Sequence, residues 1–149
     1  MLISKEAIFL NENLTSQEEV FHFIAQKAVV LDVSADENAV YNGLMEREQQ
    51  GTTGMMDGFA IPHAKSSAIT TPKIVIVRLN EGIDWNSMDG KPTLFIFSLL
   101  IPDGEAGTTH LKLLATVARM LMKADVKEAL LAARTADQLE EVLNSHLGA

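Results

Sequence analysis

The sequence contains no cysteine among its 149 residues. This absence excludes disulfide bonds, thiolate catalysis and every zinc site built on cysteine. The nucleophiles that remain are serine, threonine, histidine, lysine and the carboxylates. A chain of this length can bury roughly two-thirds of its unfolded surface without a disulfide or a structural metal. We therefore expect one self-sufficient domain over residues 1–149.

Long apolar runs and positive charge are also scarce. No run approaches the ~18 residues of a membrane span, and the N-terminal MLISKEAIFLNENL has no basic region followed by an apolar stretch, so we expect a soluble cytoplasmic protein. The 12 basic residues are outnumbered by 20 acidic ones, which gives a net charge of −8. That balance argues against nucleic acid as a partner but is compatible with a basic protein.

Nucleotide, hydrolase and metal motifs are missing from the sequence as well. There is no Gly-x-x-x-x-Gly-Lys-Ser/Thr or Gly-x-Gly-x-x-Gly segment to hold a nucleotide, and no Gly-x-Ser-x-Gly elbow. No His-Glu-x-x-His or comparable cluster offers metal ligands. We expect neither a metal nor a cofactor, and any phosphoryl group that the protein handles must arrive on a carrier other than a nucleotide.

Secondary-structure signals divide the chain into helical ends and a central set of strands. Two segments begin with the Ser-x-x-Glu pattern of a capping box: Ser16 with Glu19, and Ser34 with Glu37. Helical apolar spacing follows both, near 16–30 and 35–50, and returns in three further helices after Thr108, Asp125 and Thr135. Short β-branched or apolar stretches predict strands at 7–10, 59–61, 74–79 and 93–101, with a turn at 80–82. Because a sheet buried on both faces needs two covering layers, we predict an α/β fold, a three-layer α/β/α sandwich with a mixed sheet.

The segment GFAIPHAKS, residues 58–66, places a histidine directly after a proline. Pro62 fixes its own φ and biases Ile61 towards extended geometry, so we predict that the strand stops there. His63 would then be an exposed side chain presented rigidly at a strand end, which is typical of a functional residue. The alternative is an ordinary loop histidine.

Two other side chains could serve the same chemistry. His110 lies in the first turn of a predicted helix, where the dipole favours an anion rather than a protonated imidazole, unless its ring simply packs over the helix end. Arg47 is a candidate phosphate clamp beside the GTTG loop at 51–54, although a last-turn arginine is also expected from the helix dipole. His22 and His146 need no functional explanation.

Histidine suits phosphoryl relay without help from a base. At pH 7 roughly three quarters of an unperturbed imidazole is neutral and nucleophilic. The incoming group carries close to two negative charges, for which a second imidazole and an arginine are appropriate donors.

At these residues the sequence resembles a known family. The segment REQQGTTGMMDGFAIPH, residues 47–63, is similar to the active-site signature of the enzyme IIA components of the sugar phosphotransferase system, fructose-mannitol class, most closely the fructose type. A second block, GIDWNSMDGKPTLFIFSLLIP followed by HLKLLATVARMLM, is similar to the later half of that family. The sequence departs from the pattern at Met55, Met56 and Lys65-Ser66, which concerns the shape of the loop.

The resemblance implies a role for each candidate residue. His63 would accept a phosphoryl group at Nε2 from the phosphocarrier protein HPr, with Nδ1–H held by a backbone carbonyl. It would pass the group to a cysteine of enzyme IIB, and membrane enzyme IIC would carry the sugar. Arg47 and His110 match catalytic positions that stabilise the phosphate, and Thr53 matches a phosphate-binding loop position.

Four questions stay open at this point. The same domain type also occurs as a nitrogen-regulatory module in which phosphorylation switches protein binding, and a histidine-carboxylate metal site is a remote third alternative. An acidic rim around Met55, Met56 and Phe59 would suit a basic donor, although the two methionines are also good core residues. The identity of the sugar and the oligomeric state are not encoded in any motif found here.

Overall fold

The computed structural model describes residues 3–105 and 108–147, with backbone alone for 105, 108–110 and 147. Its helices occur in the order predicted, and the sheet has one strand more than predicted, His63–Ser66. The strands are β1 (Ile8–Glu12), β2 (Phe59–Ala60), β3 (His63–Ser66), β4 (Lys73–Ile83) and β5 (Thr93–Pro102). The helices are α1 (Gln17–Val30), α2 (Glu37–Gln49), α3 (Thr108–Met120), α4 (Ala124–Ala132) and α5 (Ala136–Leu147).

The strands form one mixed sheet in the order β1-β4-β5-β2, and β3 pairs with β5 beyond β2. Only the central pair β4–β5 is antiparallel; β1, β2 and β3 are parallel to their neighbours. The register of β5 runs continuously past β2 and β3, since Ala60 pairs with Ile96 and His63 with Leu99. β2 and β3 are therefore two halves of one edge strand, interrupted at residues 61–62.

Both faces of the sheet are covered by helices, which confirms the three-layer α/β/α sandwich. In β4, Val75 and Val77 pack with residues of α1 and α2, whereas Ile74 and Ile76 pack with residues of α3, α4 and α5. All four side chains are fully buried. Alternate residues of a strand point to opposite faces, so a continuous apolar run is what a doubly covered strand requires.

The helix starts agree with the sequence at Ser16, the first of the two predicted capping boxes, and at Thr135, a predicted helix start. Ser16 accepts a hydrogen bond from the Glu19 backbone N–H, and the Thr135 hydroxyl does the same for Gln138. The prediction that Ser34 caps α2 was wrong. Asp36 is the N-cap, because its carboxylate reaches the Ala39 N–H while the Ser34 hydroxyl accepts from Asp36. A carboxylate at the positive end of the helix dipole is also the electrostatically better cap.

The predicted turn at 80–82 was wrong. β4 continues through it to Ile83 with a register irregularity after Arg78, and the chain turns instead around Ser87 and Gly90. Gly82 is needed there for close approach, since an added Cβ would lie 2.6 Å from Pro92 Cβ. The turn-forming residues at 80–82 are thus accommodated as an irregularity within the strand.

No helix in the described ranges is both long and apolar enough to cross a bilayer.

Candidate functional site

His63 lies at the point where the edge strand resumes after its interruption. The prediction that the strand ends at Pro62 and leaves His63 exposed was wrong: His63 begins β3 and its relative exposure is 7%. The reason is that proline lacks only the N–H. Its carbonyl still accepts from the Leu99 N–H at 3.0 Å, so pairing with β5 continues across the break.

Both ring nitrogens of His63 have defined hydrogen-bond partners. Nδ1 lies 3.0 Å from the carbonyl oxygen of Ile61, and Nε2 lies 3.0 Å from Nε of Arg47. A carbonyl can only accept and a guanidinium can only donate. The two contacts together therefore fit the tautomer with the proton on Nδ1 and the lone pair on Nε2 directed at Arg47.

Arg47 reaches His63 from the last turn of α2. Its Nη1 donates to the carbonyl oxygen of Gly51 at 2.8 Å, which fixes the guanidinium between the loop and the imidazole. One helical turn earlier, Gly43 faces Ala64 of β3, and a Cβ on Gly43 would lie 3.1 Å from the Ala64 Cβ. The small residue lets α2 approach the edge strand closely enough for Arg47 to contact His63.

Thr53 is buried and is held by three hydrogen bonds beside the site. Its N–H and its hydroxyl donate to the two carboxylate oxygens of Glu48, at 2.8 and 2.5 Å. The indole N–H of Trp85 donates to the same hydroxyl at 3.1 Å. Because both donors of Thr53 are used by Glu48, this geometry leaves none for the phosphate contact expected from the sequence.

An open cleft of about 380 Å³ contains His63. Arg47, Glu46 and Gln50 line it from α2 and the residue after it, and Lys65 lines it from β3; the other lining residues are Gly43, Leu111 and Leu114. Thr53 does not line it. His110 is the third residue of α3, next to Leu111, so the backbone of the first turn of α3 lies at the cleft. The side chain of His110 lies outside the described residues.

The other sequence candidates fall away from this cleft or into the core. His22 stacks on Tyr41 with ring centroids 3.9 Å apart, and His146 lines a different surface depression. Met55 is half-buried against the core, whereas Met56 is 50% exposed. Phe59 is fully buried, so the hypothesis that it belongs to an apolar partner surface surrounded by an acidic rim was wrong.

Sequence reasoning missed Glu48, Trp85 and Lys65. Lys65 has a local signal, because it stands two residues after His63 on a strand and so shares its face. Glu48 is adjacent to Arg47, but nothing local predicts that its carboxylate turns to Thr53. Trp85 lies 32 residues from Thr53 along the chain, and only the tertiary fold brings them together.

The arrangement provides a nucleophilic nitrogen with a fixed tautomer, a permanent cation at its lone pair and access to solvent through the cleft. Within residues 3–105 and 108–147, no group of three histidine or carboxylate side chains is arranged to hold a metal. A neutral imidazole paired with a guanidinium is suited to covalent transfer of an anionic group.

Comparison with known proteins identifies the family. The model of the phosphoenolpyruvate-dependent sugar phosphotransferase system, EIIA 2, matches residues 1–146. The protein is therefore a phosphoryl-transfer protein. It belongs to the EIIA type 2 family, the phosphocarrier components of the phosphotransferase system.

Similar proteins are found among both sugar-specific and regulatory members. The PTS system fructose-specific EIIA component of Haloferax volcanii is 38% identical over 138 residues, 93% of this chain and 89% of the relative. A nitrogen regulatory protein of Bradyrhizobium diazoefficiens is 39% identical over 142 residues, 95% of this chain and 92% of the relative. The crystal structure of nitrogen regulatory protein IIA-Ntr from Neisseria meningitidis has a TM-score of 0.89 at 26% identity, covering 95% of this chain and 96% of that one.

Proposed function

We propose that His63 is the phosphorylated residue of a sugar-specific EIIA. Its Nε2 accepts a phosphoryl group from phospho-HPr and passes it to a cysteine of enzyme IIB, for sugar uptake through membrane enzyme IIC. The observation that carries the proposal is the pair of contacts on the imidazole. With Nδ1–H donating to Ile61, the lone pair of Nε2 is the one available to a phosphorus atom.

The transfer exchanges one bond for another. An N–P bond forms at Nε2 of His63 as the N–P bond to the donor histidine breaks, and the electron pair of that bond returns to the donor imidazole. In the second transfer the cysteine thiolate forms an S–P bond while His63 recovers its lone pair. The proton on Nδ1 stays in place throughout, so the ring needs no base.

Arg47 must move for this reaction and then assists it. Its Nε–H occupies the Nε2 lone pair at 3.0 Å, so an incoming phosphorus atom displaces that contact. The displaced guanidinium remains next to the phosphoryl oxygens and offers them several donors in a planar fork. We assign the second stabilising role to His110, on the grounds that the first turn of α3 reaches the cleft.

A nitrogen-regulatory switch is the second candidate. The specific observations in its favour are the 39% identity to the Bradyrhizobium diazoefficiens nitrogen regulatory protein and the TM-score of 0.89 to IIA-Ntr. The two functions share phosphorylation of His63 and differ in the next step. A transport component passes the group to the cysteine of a IIB protein, whereas a switch keeps it and changes its binding partners.

The test is incubation with phosphoenolpyruvate, enzyme I and HPr, without and then with a fructose-type IIB protein, followed by intact-mass measurement of an acid-labile phosphoryl group. We expect one group on the parent and on His22→Ala, and none on His63→Ala. His22 is the matched control, being a histidine that stacks on Tyr41 away from the cleft. Labelling of His63→Ala at the parent rate would overturn the site assignment, and failure to label fructose-type IIB would favour the regulatory function.

A further inference from the structure

We propose that Glu48, Thr53 and Trp85 form a positioning network that sets the tautomer of His63 and the place of Arg47. The network touches neither the Nε2 atom nor the cleft around it. The proposal rests on the proposed function, in which Nε2 of His63 is the nucleophile. It assigns to the family's Arg-Glu pair in this chain two different tasks, a donor to the imidazole at 47 and an anchor for the loop at 48.

The hydrogen bonds of the network can be donated in only one direction. The Trp85 indole can only donate and the Glu48 carboxylate can only accept, so the Thr53 hydroxyl accepts from the first at 3.1 Å and donates to the second at 2.5 Å. Trp85 and Thr53 are 2% and 4% exposed, so water does not compete for the bond between them, whereas Glu48 is half-buried. Hydrogen bonds to a carboxylate in such surroundings are stronger than neutral ones.

Two hydrogen bonds that involve the backbone of Ile61 connect Thr53 to His63. The carbonyl of Thr53 accepts from the N–H of Ile61 at 3.0 Å, and the carbonyl of Ile61 accepts from Nδ1 of His63 at 3.0 Å. Residue 61 is thus held on both sides, with its carbonyl aimed at the imidazole. A bridge between Gly54 and Ala60 keeps the two segments in register.

The same carboxylate also places Arg47. By binding the N–H and hydroxyl of Thr53, Glu48 closes the loop that follows α2. The carbonyl of Gly51 inside that loop accepts from Nη1 of Arg47 at 2.8 Å. Loss of the Glu48–Thr53 contacts would therefore release both partners of the imidazole, the acceptor at Nδ1 and the donor at Nε2.

Trp85 fits this role through packing as well as through its N–H. An added Cβ on Gly54 would lie 2.9 Å from Cδ1 of the indole, so the loop glycine lets the ring lie against the backbone. On its other side the indole makes an edge contact with Phe21, with ring centroids 5.4 Å apart. The ring is fixed by both neighbours, so its N–H is presented to Thr53 at a defined position.

The test reads the tautomer directly, in the unphosphorylated protein, from the 15N shifts of the imidazole nitrogens. In the neutral imidazole we expect the Nδ1–H form in the parent, and a mixture of both neutral forms in Glu48→Gln and Thr53→Val. Thr53→Ser keeps the hydroxyl and should restore the Nδ1–H form. Glu141→Gln, an exposed carboxylate of α5, is the control, and His22 is an internal reference.

Transfer kinetics supply the second readout. Because the network orders a nucleophile without contacting the donor protein, kcat should fall roughly 10-fold or more in Glu48→Gln and Thr53→Val, with KM for phospho-HPr unchanged. If a Glu48 variant does not fold, Trp85→Phe takes its place. This variant keeps an aromatic ring but removes the N–H, and its kcat should fall in the same way. Parent-like tautomer and kcat in folded Glu48→Gln and Thr53→Val would overturn the network. An altered tautomer together with no phosphorylation of the parent would overturn the proposed function alone.

Discussion

At the residue scale, reactivity depends on which atom of His63 carries its proton. A histidine in water interconverts between two neutral forms, whereas here one nitrogen faces a carbonyl and the other a guanidinium, each at 3.0 Å. This pairing places the lone pair on Nε2, in contact with Arg47, before any partner binds. Because His63 is only 7% exposed, a group must enter the cleft to reach it.

Arg47 gives the residue-scale prediction. Removing its guanidinium in Arg47→Ala should slow transfer from phospho-HPr on the order of 10²-fold, because one charged donor to the developing negative charge is lost. Arg47→Lys should recover only part of the rate, since a single ammonium cannot reach both Gly51 and the phosphoryl group as the fork does. The measurement is a rapid-quench transfer time course, with thermal unfolding as a check on the fold.

Arg134→Ala serves as the control, being an exposed arginine between α4 and α5. Equal transfer rates for Arg47→Ala and Arg134→Ala would show that Arg47 has no part in the reaction.

At the element scale, the close approach of α2 to β3 builds the site. Helices usually lie about 10 Å from a sheet, with side chains between. Here Gly43 faces Ala64, and the two small residues reduce that spacing at the one turn from which Arg47 extends. A glycine within a helix is unfavourable by about 1 kcal/mol relative to alanine, so its presence in α2 needs this structural reason.

Gly43→Ala is the element-scale prediction. The helix gains up to about 1 kcal/mol of propensity, but the new Cβ would meet Ala64 Cβ at 3.1 Å and one element must shift by a few tenths of an ångström. We expect little net change in the free energy of unfolding and a severalfold lower transfer rate, as Arg47 moves from His63. Denaturant unfolding and the transfer assay measure the two effects.

Asn42→Ala, at an exposed position of the same helix, is the comparison. Gly43→Ala could instead be stabilised as much as a Gly→Ala change at a solvent-exposed helix position and transfer phosphate at the parent rate. That result would show that the position of Arg47 does not depend on the close approach of α2 to β3.

At the scale of the whole molecule, an ion cluster ties the site-bearing edge to the opposite helical layer. Lys127 of α4 forms a salt bridge and a hydrogen bond with Asp57, and Lys91 lies 3.5 Å from the same carboxylate. Asp89 in turn accepts from the N–H of Asp57. In a chain of net charge −8 these lysines balance local negative charge where two loops meet α4.

This cluster predicts how stability depends on pH. The hydrogen bond from Lys127 lowers the pKa of Asp57, and hydrogen bonds from backbone N–H groups, that of Asp57 first, lower the pKa of Asp89. The pKa values of both carboxyl groups are lower in the folded than in the unfolded state, so between those values the unfolded state binds more protons. The free energy of unfolding therefore rises with pH over that range. The contribution is present above about pH 4 and is lost as pH falls through the folded pKa values.

Thermal unfolding of the parent and of Asp57→Asn across this window measures the effect. The difference in Tm should be present at neutral pH, begin to shrink below about pH 4 and disappear once pH has fallen through the lowered pKa of Asp57, where both side chains are uncharged. Asparagine suits the left-handed backbone at position 57, where φ is 60°, and Asp32→Asn is the matched control with φ of 61°. A difference that stays constant with pH would mean that the charge of Asp57 is not involved.

Taken alone, the sequence determined the family and most of the helices and strands, and it singled out His63 and Arg47, which the structure brings into contact. For the helix starts local rules were enough, because capping at Ser16 and Thr135 and apolar periodicity act within a few residues. The same rules were wrong at Ser34 and at 80–82, where Asp36 competes as a better cap and a strand absorbs turn-forming residues.

Only the tertiary structure decided how the site is held. The edge strand resumes after Pro62 because β5 continues to pair with it, and so His63 is buried rather than exposed. The hydrogen bond between Thr53 and Trp85 likewise depends on the tertiary fold, because the two residues are 32 positions apart in the chain. Hydrogen-bond direction and burial depend on contacts between distant segments, which a local pattern does not encode.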